Sequence, residues 1–460
     1  MSLTSSSLRR RVGTVVALAS LLGLPPSCSV HDIPGMEVAR PSTTSSSTQS
    51  VPSSGSQAAD AIGPVSPLPI EEPIEVTYSD TQGRAAQTLL ARFDLREQGR
   101  LTPVRTQRTN GPCWAFAALA SVESSLMPGM PLDLSENDMV NRSGFDRGPY
   151  GGGTRQMAAA YLASGAGPVS ERGGQRVVDV LNIHYLPKNK LGPDNPVLKR
   201  AIMNEGAVFT LFFQEAYYLN RKVNYFAPTS HPTNHAVAIV GWDDNYSASN
   251  FLQRPEGDGA WIIRNSWGTK KGEQGYYYVS YYDRQIGTAN AVYLGSPTGT
   301  YKRIYQHDPL GATDRRGPVG DAWYANVFTA RGTEHIGAVG LWSLTAGVDY
   351  EVYLAPVTGG RPDVSKAQLA ASGALPYAGY HTIETSGMDV TAGQAFSVIV
   401  HVRSNSSDHL VPAELPISGY SSRASAEPGQ SFISTDGTNW RDFTEIAPKG
   451  NVALKALATR

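Results

Sequence analysis

The residue with the clearest chemical setting is Cys113, in Gly111-Pro112-Cys113-Trp114-Ala115-Phe116-Ala117. From it the apolar pattern turns helical, with Trp114, Ala117, Ala118, Ser121 and Val122 near i, i+3, i+4 spacing. Gly-Pro in front forces a tight entry, so Cys113 is expected at a helix N-terminus. There the unpaired N–H groups and the helix dipole favour an anion, and the thiol pKa is expected to fall toward that of a nucleophile. Such a thiol needs a base and a group to orient that base. Asn234-His235-Ala236-Val237-Ala238-Ile239-Val240-Gly241-Trp242 puts a histidine at the head of an apolar strand. Gly259-Ala260-Trp261-Ile262-Ile263-Arg264-Asn265-Ser266-Trp267-Gly268 is a second strand with asparagine at its C-terminal end. The Asn265 amide oxygen can accept an imidazole N–H and fix its tautomer, while Trp267 shields that bond from water.

The elements that must position these groups are strands downstream of one buried helix, which makes the region mixed α and β. The chain has 460 residues, 40% of them hydrophobic, enough to bury real cores and to exclude a wholly disordered chain. Lys+Arg 39 against Asp+Glu 40 gives a net charge of −1, with no basic field for nucleic acid. The two cysteines, Cys28 and Cys113, cannot form a disulfide framework.

The collinear pieces Gln107, Cys113-Trp114-Ala115-Phe116, Leu134-Ser135-Glu136, Gly152-Gly153, Asn234-His235-Ala236 and Asn265-Ser266-Trp267-Gly268 resemble those of the papain-type cysteine proteases. The resemblance covers roughly residues 92 to 296. It implies a two-subdomain papain-like fold, with Cys113 as nucleophile, His235 as base and later acid, and Asn265 as orienter. Gln107 and the Cys113 backbone N–H would hold the oxyanion. Gly152, Gly153, Asn234 and Trp267 would meet the polypeptide substrate, the glycines because a side chain would block an extended peptide. No cofactor and no metal is implied. His307 with Asp308, and His381 with Glu384, are isolated pairs without a third ligand, and Asp243-Asp244-Asn245 reads as a solvated turn. Relatives carry a cysteine pair where this chain has Asn110 and Tyr150-Gly151, so the loop before the nucleophile must be held by packing instead of a disulfide.

Beyond Ser296-Pro297-Thr298-Gly299 the pattern becomes strand after strand, as in Ile336–Trp342, Asp349–Leu354 and Ala395–Val402, with turns at Gly393-Gln394 and Asp436-Gly437. An antiparallel β-sandwich is expected, self-contained and separable from the catalytic half. It resembles the lectin-like domain of bacterial and archaeal surface proteases, and its ligand would be a glycan or a cell-surface component. Trp323, Trp342 and Trp440 are expected in its core.

The fold class is therefore α+β: a papain-like domain over 91–298 followed by a β-sandwich domain over 299–460. Leu8-Arg9-Arg10-Arg11 and the apolar stretch Val12–Leu24 read as an export signal over 1–28, too short to span a bilayer. Ser27-Cys28 leaves lipoprotein-type and ordinary signal cleavage both open, so any membrane association would run through an N-terminal lipid anchor. Residues 29–90 form a Ser/Thr/Pro-rich tether or a short pro-segment, with Ile74–Tyr78 strand-like and Ala85–Leu90 helical. The expected product is an exported cysteine endopeptidase, secreted or attached to the cell envelope. The competing reading is a surface binding protein on an inactive papain-like scaffold, which would need to keep none of Gln107, Cys113, His235 and Asn265.

Overall fold

The computed structural model describes residues 62–66, 69–78 and 88–459. The expected export signal, Cys28 and most of the tether lie outside these described residues, as does most of the helix expected over 85–90.

The helix Cys113–Leu126, CWAFAALASVESSL, is the pivot of the catalytic half. Its alanines favour helix and leave room on every side for close packing. From Cys113 to Ser124 nearly every residue is buried. Its serines replace side-chain bulk with tethers: Ser121, Ser124 and Ser125 hydroxyls accept the backbone N–H groups of Tyr293, Ala207 and Gly295 at 3.1, 3.0 and 3.0 Å. The helix thereby lies flat against the strands Asn290–Pro297 and His235–Asp243. Three further helices, Glu136–Arg142, Arg155–Ala163 and Pro196–Asn204, complete this half.

A single sheet of thirteen strands runs through both halves. On the catalytic side Val208–Phe212 pairs with His235–Asp243, which pairs in turn with Ala260–Arg264 and then Tyr276–Ser280. On the other side Val178–Leu186 pairs with Ala378–His381 of the β-half, Tyr185 opposite Ala378 and Asn182 opposite His381. Glu334–Ser343 and Leu454–Ala458 extend the sheet outward. A second sheet, built on Val348–Thr358, Ala395–Arg403, Asp321–Thr329 and Ser431–Ser434, faces it across an apolar core that includes Phe396, Val398, Leu341 and Leu454. That pair of sheets is the expected sandwich, and the turns at Gly393 and Gly437 fall where expected.

The sandwich is not self-contained, which corrects the sequence reading. Its inner sheet is also the flank of the catalytic sheet, and Tyr380, Trp342, Leu310 and Tyr420 join the core built around the Cys113 helix. Gly379 lies in that seam at φ +135, where an added Cβ would stand 1.8 Å from the Ile183 carbonyl oxygen. Only glycine admits both the conformation and the approach. Period-2 patterning tells which residues are strands, but not that one strand's open edge is completed by a distant strand.

Smaller departures have local causes. Asp244 is no free turn residue, since Lys199 Nζ and the Tyr281 hydroxyl both donate to its carboxylate at 2.6 Å. Trp342 and Trp440 are buried as expected, whereas Trp323 is half-buried on the outer sheet face, stacked 4.0 Å from the His401 ring.

Candidate active site

Cys113 is the first residue of its helix, with Pro112 as N-cap and Gly111 at φ +101 just before it. A Cβ on Gly111 would fall 2.6 Å from the Tyr150 backbone carbon, so the loop before the nucleophile touches the Tyr150 loop directly. The position left without a disulfide is thus closed by backbone contact. Behind it stands a polar brace. Arg105 Nη2 donates to Glu123 at 2.6 Å and Nη1 to Glu136 at 3.1 Å, while the Thr102 hydroxyl donates to the other Glu123 oxygen at 2.5 Å. Burial pushes the Glu136 carboxyl up to about 7, against the pull of Arg105. Glu136 belongs to the Leu134-Ser135-Glu136 motif, whereas Glu123 lies in no motif that the sequence singled out.

His235 heads its strand and is fully buried. Its Nε2 lies 2.8 Å from Asn265 Oδ1, which makes Nε2 the protonated nitrogen and leaves the lone pair on Nδ1. That Nδ1 has no hydrogen-bond partner among the described residues. Trp267 stacks on the imidazole at 5.0 Å and 19°, covering the bond to Asn265. The Cys113 sulfur lies 3.9 Å from Gly111 O, and the backbone N–H groups of Ala236, the residue after His235, and of Trp114 favour its charged form. Gln107 reaches the same floor, its backbone N–H bonded to Ser266 O at 2.7 Å and its Oε1 accepting from the Ser266 hydroxyl at 2.5 Å. Its Nε2 donates to Thr109 O at 3.2 Å. The structure therefore brings together Gln107, Cys113, His235, Asn265 and Trp267.

The expected lowered thiol pKa is not found in this state. Burial pushes the Cys113 thiol up to about 11, outweighing nearby backbone N–H groups, and pushes His235 down to about 4 despite the Asn265 bond. Both groups are accordingly neutral at pH 7. A strap of the chain's own N-terminal region runs along this cleft. Trp267 Nε1 donates to Pro64 O at 2.9 Å, and Gly63 lies against that indole, where a Cβ would stand 2.5 Å from it. Ser66 N donates to Asn234 O at 2.8 Å, and Ile70 N to Thr233 O at 2.7 Å, with the Thr233 hydroxyl returned to Ile70 O at 2.6 Å. Ile70 and Ile74 are buried in the main core.

Of the expected contact residues, Gly152, Asn234 and Trp267 lie against the strap. A Cβ on Gly152, at φ +75, would come 2.4 Å from Ser66 Oγ, so this glycine does permit close approach of an extended chain. Gly153 answers to a different constraint, since its Cβ would enter the Trp114 indole at 2.5 Å. Asn234 contributes its backbone carbonyl, while its side chain is tied to the Gln214 backbone at 2.7 and 3.0 Å. Arg155, next after Gly152-Gly153-Thr154, escaped the sequence reading although it is buried beside the cleft and bonded to Glu72 of the strap.

Helix, sheet and the Cys–His–Asn set together define a papain-like cysteine protease fold. Residues 89–295 match the family of papain family cysteine proteases, and residues 304–458 match the lectin-like domain. A probable cysteine protease, RDL6, of Arabidopsis thaliana is 27% identical over 215 residues, 43% of this chain and 56% of that protein. Cathepsin S of Mus musculus is 26% identical over 227 residues, 45% of this chain and 63% of that protein. The chain thus spans somewhat over half the length of the curated relatives it matches. Among solved structures, the cysteine protease and lectin-like domains of Cwp84, a surface layer associated protein of Clostridium difficile, superpose with a TM-score of 0.71 at 26% identity, over 84% of this chain and 93% of that one. A structure of clostridial Cwp84 after propeptide cleavage gives 0.72 at 27% identity, over 80% and 99%. The chain thus carries a papain-like cysteine protease domain followed by a lectin-like domain, the arrangement to which Cwp84 is similar.

Proposed function

We propose that the chain is a cysteine endopeptidase held inactive by its own residues 62–78, and that it works outside the cell or on the cell envelope. The observation that carries this is the His235 Nε2–Asn265 pair with a bare Nδ1, set beside a helix-initial thiol. In the occluded form the proton stays on sulfur, because both charged partners would be desolvated. With the strap gone, water and substrate dipoles restore the ion pair, and Nδ1 takes the thiol proton. The thiolate attacks the scissile carbonyl carbon, and the oxyanion receives hydrogen bonds from the Cys113 N–H and the Gln107 amide. The imidazolium proton then passes to the leaving amine. Water, deprotonated by His235, cleaves the thioester and restores the thiol. Gln107 Nε2 has two hydrogens, and its bond to Thr109 leaves one for this use.

The strap supports a pro-segment over a passive tether, since it follows the cleft from Trp267 to Thr233 through main-chain bonds. Export is supported by the Arg-rich, apolar N-terminus and by the surface-layer association of Cwp84. The lectin-like half would address the enzyme to a glycan or cell-surface component.

The test is Cys113→Ser in the full chain, assayed on a denatured protein substrate after incubation to allow processing. An alkoxide is far harder to form beside the same imidazole, so a folded but inactive protein is expected. Turnover comparable to the parent would remove Cys113 from the mechanism. Gln107→Ala should lower the rate by about 10²-fold, the scale of one oxyanion donor.

A further inference from the structure

A cavity of about 980 Å³ lies between the strap and the catalytic body, beside the segment 230–233 that leads into His235. The ionisable side chains on its body wall are Arg155, Lys188 and His231, with no carboxylate among them. The strap that covers it reads Ile70-Glu71-Glu72-Pro73-Ile74-Glu75, and all three glutamates line the cavity. The two faces are complementary in charge.

Arg155 is the centre of that complementarity. Its backbone N–H and Nε donate to the Glu72 carboxylate at 3.1 and 3.3 Å, and Nη1 donates to the Tyr78 hydroxyl at 2.9 Å and to Asn290 O at 3.0 Å. The guanidinium also lies 4.6 Å over the Tyr185 ring. Glu72 and Tyr78 belong to the strap and leave with it. What remains is a guanidinium held by the Asn290 carbonyl and the Tyr185 ring face, without an anion. A charge so placed is costly unless it is paired, and an arginine fork matches a carboxylate in geometry. The strap reaches Arg155 after passing Trp267, Asn234 and Gly152, so an extended substrate in the same groove places a side chain at the same point.

We infer that Arg155 is a specificity-determining residue and that the open cleft selects substrates with a glutamate or aspartate side chain at the subsite Glu72 now fills. This rests on the peptidase reading of the Cys113 cleft and adds the substrate class. The strap mimics the substrate's acidic side chain. The weaker positive fields of Lys188 and, when protonated, His231 act in the same direction along the cavity wall.

The experiment uses the full chain, incubated until N-terminal processing is complete by mass spectrometry and titrated with an epoxysuccinyl thiol inhibitor. Fluorogenic peptides are compared in pairs that differ only by Glu or Gln, with that position moved along the peptide. At one position the Glu peptide should be cleaved with kcat/KM roughly 10- to 100-fold above its Gln partner, the worth of a hydrogen-bonded charge pair. The gain should lie mainly in KM and shrink in 1 M NaCl. Arg155→Gln should abolish the gain, and Arg155→Lys should restore part of it. If the variants do not fold, the comparison of peptide pairs by the parent protein still decides. Equal rates for Glu and Gln at every position, with a titratable thiol, overturn the role of Arg155 and leave the peptidase reading standing. No titratable thiol and no cleavage of either peptide overturn both.

Discussion

Replacing Gly379 by alanine tests whether the two halves are one folding unit. The residue sits at φ +135, and the added Cβ would lie 1.8 Å from Ile183 O, in the short pairing of Ala378–His381 with Asn182–Tyr185. The conformation alone costs on the order of 1–3 kcal/mol for a residue with a Cβ. Relief of the clash needs the strands to part, which forfeits about two hydrogen bonds at about 1 kcal/mol each. The sum is about 3–5 kcal/mol. At about 2–3 °C per kcal/mol for a body of this size, Tm should fall by roughly 6–15 °C. Calorimetry of the full chain would show a single transition in both proteins, because the seam is continuous. Gly393→Ala is the control, with φ +79 but nothing within 4 Å of its added Cβ, so its cost should be only about 1 kcal/mol. A Gly379→Ala protein that melts within 2 °C of the parent, or two resolved transitions in the parent, would refute the reasoning.

Other consequences are as specific. Lys455 Nζ is buried 2.7 Å from Asp308 Oδ2, with the Glu414 carboxyl nearby pushed up to about 8 by burial. Lys455→Met leaves those carboxyls without their cation and should cost about 3–5 kcal/mol, whereas pairing it with Asp308→Asn should recover a large part, as read by denaturant melts. Burial lowers His381 to about 3 and His235 to about 4, so each contributes stability that is complete above pH 6.5 and lost as pH falls toward those values. His381→Gln should therefore flatten the fall in Tm between pH 6.5 and 4, and an unchanged slope would mean that this ring is already charged or exposed. Truncation after residue 299 should yield aggregated protein, since it unpairs Asn182–Tyr185 and bares the core around Tyr380; a soluble monomer with native circular dichroism would contradict the shared sheet.

Much of the site was legible in the sequence because its chemistry is local. Cys113 begins a helix whose entry Gly111-Pro112 dictates, and His235 and Asn265 stand at the ends of strands that apolar runs reveal. What escaped depends on distant partners. Glu123 could not be known to face Arg105, nor Gly379 to face Ile183. Arg155 carries no local signal, and its role rests on the distant Glu72 bonded to it. The expected fall in the Cys113 pKa came from its place on the helix, and burial reverses it. Helix position sets a modest electrostatic bias, whereas full burial exacts a larger desolvation cost.

The central claim is that Cys113 is a peptidase nucleophile silenced by residues 62–78. It is tested most directly by adding an epoxysuccinyl inhibitor to the full chain at intervals during processing and mapping the adduct by mass spectrometry. The account predicts almost no adduct on the intact chain, then stoichiometric adduct on Cys113 in step with loss of the strap. Full labelling before any cleavage would contradict the silencing, and a fully processed chain whose Cys113 stays unlabelled would contradict the nucleophile.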